Sequence, residues 1–213
     1  MDIAIPVYER FTALDAVGPY DVLSRLPGAT VSFLAAEPGP KRTENGMLAL
    51  VADRALEELP QPEVVVVPGG FGTRALLEDE RMVGWIRRAH ESSEFTTSVC
   101  TGALLLGAAG VLDGLEATTH WTELETLERF GARPASRRVV EQGKVITAAG
   151  VSSGIDMALL LAARLAGDDV AEAIQLAIEY DPQPPFDSGS TAKARPETVQ
   201  LVQNVLEAAV RQT

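Results

Sequence analysis

Cysteine is almost absent from this chain: Cys100 is the only one in 213 residues. A single cysteine forbids an internal disulfide, so a reducing cytosol fits and a disulfide-stapled secreted scaffold does not. Histidine is nearly as scarce, with only His90 and His120. Two histidines and one cysteine are too few for a zinc site of the usual kind, so no metal is expected. No run of about 20 apolar residues occurs, so no membrane span is expected. Met1-Asp-Ile-Ala-Ile-Pro6 has no basic segment ahead of an apolar run, and no signal peptide is expected. Basic residues are in deficit: 18 Lys and Arg stand against 30 Asp and Glu, a net charge of −12. Such a surface favours solubility and repels nucleic acid and anionic membranes. There is no internal repeat, low-complexity segment or linker. The expectation is a cytoplasmic protein folded as one domain over residues 1–213, with 46% hydrophobic residues to build its core.

What is present is an alternation of strand and helix signals. Strands are expected at Asp2–Tyr8, Thr30–Ala36, Glu63–Val67 and Phe95–Val99. A short strand is expected at Met47–Val51, and a hairpin over 139–147 turning at Gln142-Gly143. The unbroken valine run before Pro68-Gly69-Gly70 is the sign of a strand covered on both faces. Helices are expected at Thr12–Leu26, Leu77–Ser92, Thr101–Ala109, Thr122–Phe130, Ser152–Leu165, Val170–Ile178 and Glu197–Arg211, with a turn of helix at Ala55–Leu59. Residues 37–41 and 181–196 read as loops. This order predicts an α/β fold with a mostly parallel sheet and helices on both faces. Ligands in such sheets bind beyond the carboxyl ends of the strands. The residues after Tyr8, the Gly69-Gly70 turn, Cys100 and the Gly150 turn all fall there.

Cys100 lies between a β-rich run and a small, apolar helical stretch, the geometry of a nucleophile elbow. The amides and dipole of the following helix favour a thiolate, which predicts a pKa below the ~8.5 of a free thiol. The alternative is a lone buried cysteine acting as a small hydrophobe. Asp15 likewise has two readings. Thr12-Ala-Leu-Asp15 is a capping-box pattern; in the cleft, the same carboxyl beside sulfur could hold a proton near neutral pH and act as a general acid. Gly69 and Gly70 allow close backbone approach and could aim amides at developing negative charge, or form a plain tight turn. Thr101 offers a hydroxyl next to Cys100 or is an ordinary first-turn residue. His120, ahead of the capping-box pattern Thr122–Glu125, is a base for Cys100 or is satisfied locally. His90 reads as solvated, and Asp156, in Ser153-Gly-Ile-Asp156, as structural.

Four segments carry a wider resemblance: Val65-Val-Val-Pro-Gly-Gly70, Ser98-Val-Cys-Thr-Gly-Ala103, Ala117-Thr-Thr-His-Trp121 and Ala148-Ala-Gly-Val-Ser-Ser-Gly-Ile-Asp156. Together they resemble the ThiJ/PfpI superfamily, whose sheet is flavodoxin-like and related to class I glutamine amidotransferases. Phe11-Thr-Ala-Leu-Asp-Ala-Val-Gly-Pro-Tyr20 and Glu179-Tyr-Asp-Pro-Gln-Pro-Pro-Phe186 are similar to its isonitrile hydratase branch. Two positions depart from many relatives: Ser98 replaces a glycine, and Asp15 replaces a glutamate. The shorter acid fits the hydratase branch and counts against the redox-sensing and deglycase-like branches.

The resemblance implies a cofactor-free lyase that hydrates isonitriles to N-substituted formamides. It implies Cys100, Asp15 and Thr101 as catalytic residues, with Gly69, Gly70 and His120 at the substrate, and it implies a homodimer. Rival readings remain. A cysteine hydrolase of the same superfamily would need His120 as base. A ligand-sensing module is known as the N-terminal half of helix-turn-helix regulators, against which stand an acidic surface and no such segment before Thr213. A redox sensor or chaperone could be built on Cys100.

Overall fold

The computed structural model describes residues 1–210. In chain order it runs β1 (Asp2–Pro6), α1 (Ala13–Leu23), β2 (Thr30–Ala35), β3 (Gly39–Arg42), β4 (Ala49–Ala52), β5 (Arg54–Ala55) and β6 (Val64–Val67). Next come α2 (Thr73–Leu76), α3 (Glu80–Ser92), β7 (Phe95–Val99), α4 (Gly102–Ala108), β8 (Glu116–Ala117) and β9 (Arg133–Pro134). The last elements are β10 (Val139–Gln142), β11 (Val145–Ala148), α5 (Ser153–Ala166), α6 (Asp168–Ala177) and α7 (Pro196–Val210).

Seven strands form one sheet in the order β10-β11-β7-β6-β1-β2-β5. Every pairing in it is parallel except β10–β11, the expected hairpin. Helices α1, α5 and α6 pack together, and α3 and α4 form the second helical layer. This is the expected flavodoxin-like α/β architecture. Val64 to Val67 have no solvent exposure, as an unbroken apolar strand requires. Each fully buried valine contributes on the order of 1.5–3 kcal/mol. The order places the switch between β1 and β6, so the ends of β1, β6 and β7 open into one crevice.

Several elements differ from the sequence expectation. Residues 37–41 are not a plain loop, because Gly39–Arg42 pairs antiparallel with Ala49–Ala52 as a separate hairpin. The helix expected over 77–92 is present as α3 but starts three residues later, where Asp79 accepts hydrogen bonds from the amides of Arg81 (2.8 Å) and Met82 (3.3 Å) and caps it. Residues 121–130 form two 3-10 turns, not an α-helix. His90 is half-buried, with Nδ1 2.9 Å from the Thr96 hydroxyl, so it is not simply solvated. The closing helix ends among the described residues at Val210, and Arg211 lies outside them.

Candidate active site

Cys100 sits between the end of β7 and the start of α4, with φ 54°. A non-glycine residue in this left-handed region costs about 1–2 kcal/mol, so the surrounding structure must hold it there. Its amide donates to the carbonyls of Ala148 (3.1 Å) and Ala149 (2.9 Å), and its carbonyl accepts from the Thr119 hydroxyl at 2.8 Å. Gly102 lets α4 start against the end of β6: a Cβ there would lie 2.1 Å from the Val67 carbonyl oxygen. The elbow expected from sequence is therefore present, and the side chain is 6% exposed.

Asp15 does not close a capping box. Thr12 makes no side-chain cap, and its hydroxyl donates to Glu44 at 2.9 Å. Asp15 Oδ2 instead accepts the Gly69 amide at 2.9 Å, across 54 residues of sequence, and the residue has no solvent exposure. Gly69 has no side chain for good reason. A Cβ there would lie 2.6 Å from the Thr101 amide nitrogen and 2.9 Å from Asp15 Oδ2. The other carboxyl oxygen, Oδ1, is buried and has no hydrogen-bond partner within normal distance among the described residues. Burial pushes the Asp15 pKa from 3.8 up to about 8; the Gly69 amide pulls it down, the Glu44 charge pushes it up and the Cys100 thiol pulls it down. The carboxyl therefore holds a proton at neutral pH.

The expected depressed thiol pKa is not found. Burial pushes the Cys100 thiol up, and the nearby Asp15 carboxyl adds to the rise. The amides of Thr101 and Val151 pull it down but do not overcome desolvation. The donors beside the elbow are legible in the sequence, but the loss of water around the thiol is not. The sequence also offers the Gly69 and Gly70 amides as donors to developing charge. Both are already engaged: Gly69 with Asp15, and Gly70 with Thr101 Oγ1 at 2.9 Å. The Thr101 hydroxyl in turn donates to the Gly70 carbonyl at 3.2 Å, so Thr101 pins the glycine turn to the elbow.

A cleft of about 460 Å³ opens over the sulfur, lined in part by Gly70, Phe71, Cys100, Thr101, His120 and Val151. His120 Nδ1 lies 2.8 Å from the Thr122 hydroxyl, and burial lowers its pKa, so the ring is neutral and satisfied locally. Among the described residues it forms no hydrogen bond to Cys100. Asp156, expected to be structural, binds Arg138 and accepts the Tyr180 hydroxyl at 2.8 Å. Among the described residues, no three His, Cys, Asp or Glu side chains group as metal ligands do.

A model of the DJ-1/PfpI family matches residues 1–164. The chain belongs to the DJ-1/PfpI family. It is 43% identical to an isonitrile hydratase of Pseudomonas putida over 190 residues, which cover 89% of this chain and 83% of that protein. It is 29% identical to the HTH-type transcriptional regulator CdhR of Pseudomonas aeruginosa, over 79% of this chain and about half (51%) of the regulator. Its fold matches that of a ThiJ/PfpI family protein from Pseudomonas syringae with a TM-score of 0.94, at 35% identity, covering 99% of this chain and 87% of that one.

Within this DJ-1/PfpI chain, sequence reasoning did not find Val151. Its amide faces sulfur, and its φ of 22° marks a strained turn. The Gly150 turn at the end of β11 was the available signal. Glu44, Phe71 and the α7 side chains of the cleft were also missed, because no local pattern ties them to Cys100. Ser98 has a buried Oγ with no partner among the described residues, for which we have no physical account.

Proposed function

We propose that this protein is a hydro-lyase that converts an isonitrile, R–N≡C, to the formamide R–NH–CHO, with no cofactor. The observation that carries the reading is a buried carboxyl holding its proton up to about pH 8 beside a strained elbow cysteine. The 43% identity to an isonitrile hydratase supports it.

The resting pair is a neutral acid and a neutral thiol, which alters the chemistry expected from sequence. An isonitrile carbon carries a lone pair and accepts a proton. Asp15 donates its proton to that carbon, which makes the carbon electrophilic. Sulfur attacks the same carbon, and the thiol proton passes to the Asp15 carboxylate. One C–H and one C–S bond form, one S–H bond breaks, and Asp15 ends as it began. The product is a thioimidate, R–N=CH–S–Cys100. Water then adds to the carbon, its proton going to nitrogen. The tetrahedral species expels sulfur, the hydroxyl proton returns to the thiol, and the formamide leaves. The Thr101 and Val151 amides stabilise charge developing on sulfur, since donors fixed in a dry site need no reorganisation. Gly69 holds the acid, and Thr101 holds the Gly70 turn. A redox sensor wants a low-pKa, accessible thiolate, and this buried thiol counts against that reading.

We further propose a homodimer of single-domain subunits that binds no nucleic acid and works in the cytoplasm. Among the described residues, no helix is long and apolar enough to cross a membrane. The deciding experiment is formamide production from a panel of alkyl and aryl isonitriles by the purified protein and by Cys100→Ala. Turnover of none of them, or turnover by the variant within about tenfold of the parent, refutes the covalent hydratase.

A further inference from the structure

The cleft over Cys100 combines apolar walls with charged side chains, the carboxylates Glu44, Glu123 and Glu207 and the guanidinium of Arg74. Phe71 and Leu206 supply apolar surface. Arg74 and Glu123, also in the lining, are paired with each other and largely cancel. Glu44 differs. It stands in the turn between β3 and β4, outside every element that carries Asp15, Cys100 or Thr101. Its amide donates to the Phe11 carbonyl at 3.1 Å, and its Oε2 accepts the Thr12 hydroxyl at 2.9 Å. These two bonds hold the hairpin turn against the mouth of the cleft. Among the described residues Glu44 has no cationic partner. Its charge is felt at both reacting groups, where it raises the Asp15 and Cys100 pKa values. A carboxylate that acts on groups this deep also acts on a substrate lying between them.

We infer that Glu44 is a charge filter, selecting substrates whose R group is apolar and neutral or cationic against those carrying a carboxylate or phosphate. The inference rests on the hydratase reading for its substrate class. The discrimination follows from Coulomb's law. Two like charges about 7 Å apart, at an effective dielectric constant of about 20–40, disfavour binding by about sevenfold to fiftyfold. Salt weakens the effect, because the mouth is open to solvent.

The test uses three probes built on one hexyl isonitrile, ending in a methylamide, a trimethylammonium or a carboxylate group. kcat/KM is measured at pH 6.5, where Asp15 is protonated, for the parent, Glu44→Gln and Glu44→Lys. The glutamine variant keeps an acceptor for Thr12. The carboxylate-to-amide ratio should rise at least fivefold in Glu44→Gln and further in Glu44→Lys, while the trimethylammonium-to-amide ratio falls. Added salt should raise the carboxylate ratio clearly more in the parent than in Glu44→Gln. A second readout needs no turnover: alkylation of Cys100, the only cysteine, by iodoacetate and by iodoacetamide. The iodoacetate-to-iodoacetamide rate ratio should rise by a similar factor in Glu44→Gln. Ratios that stay within twofold across the three proteins overturn the filter. If no isonitrile is turned over, the hydratase reading falls, and the alkylation ratio alone decides whether Glu44 filters charge.

Discussion

Replacing Asp15 with Asn should remove most of the pH dependence of stability between pH 5 and pH 8. The folded Asp15 carboxyl keeps its proton up to about pH 8, whereas the ordinary value is 3.8. Between those values the native state binds a proton that the unfolded chain has lost. Stability therefore falls as pH rises through the window, by about 1.4 kcal/mol per pH unit from this one group. From pH 5 to pH 8 the loss is on the order of 4 kcal/mol. Above about pH 8 the folded carboxyl ionises as well, and its contribution to the decline stops. An asparagine has no such proton and still offers an acceptor to the Gly69 amide. Urea unfolding at pH 5, 6.5 and 8 measures the effect, with midpoints converted through a common m value. The parent should lose stability across the series relative to Asp15→Asn, with the gap changing by about 3–4 kcal/mol. Parallel pH profiles would show that the carboxyl is ionised in the folded protein. The acid of the proposed mechanism would then be gone. The same proton sets activity: turnover by the parent should fall above about pH 8 and be nearly lost in Asp15→Asn at every pH.

Substitutions at three other positions separate chemistry from support. Cys100→Ala and Cys100→Gly should both lack turnover, yet the glycine variant should be more stable by about 1 kcal/mol, because φ 54° strains any L side chain; equal denaturation midpoints would show that the elbow stores no strain. Thr101→Val leaves the buried Gly70 amide without its acceptor and should cost about 1–3 kcal/mol, with Thr101→Ser restoring most of it; thermal unfolding of both variants checks this. His120→Ala should keep turnover within about fivefold, since Nδ1 is bonded to Thr122 and burial keeps the ring neutral. A loss of a hundredfold or more would make His120 the base of a hydrolase-type mechanism.

The layered sheet was legible because its signals are local. The Val64–Val67 run, the turn at Gly143 and the strand–Cys100–helix junction each carry their structure in a few adjacent residues. Boundaries were less legible where a side chain overruled the pattern, as when Asp79 caps α3 three residues past its expected start. The capping-box pattern of Thr12 to Asp15 misled for a related reason. A box satisfies local donors, but here the carboxyl finds the Gly69 amide and Thr12 finds Glu44. Local chemistry offers both outcomes, and only the packing of α1 on the end of β6 chooses between them.

Local sequence alone specifies the α/β layering, the elbow that carries Cys100 and the small residues that let chain segments meet at it. These follow from short-range sterics and from the spacing of apolar side chains. The tertiary structure decided the electrostatics. Asp15 holds its proton and Cys100 keeps its own because both lose water when α1, β6 and the elbow close together. Desolvation depends on everything that surrounds a group, whereas a helix start or a glycine turn is written in its immediate neighbours. For the same reason Val151 and Glu44, from distant turns, reach the cleft around the sulfur only when the whole chain has folded.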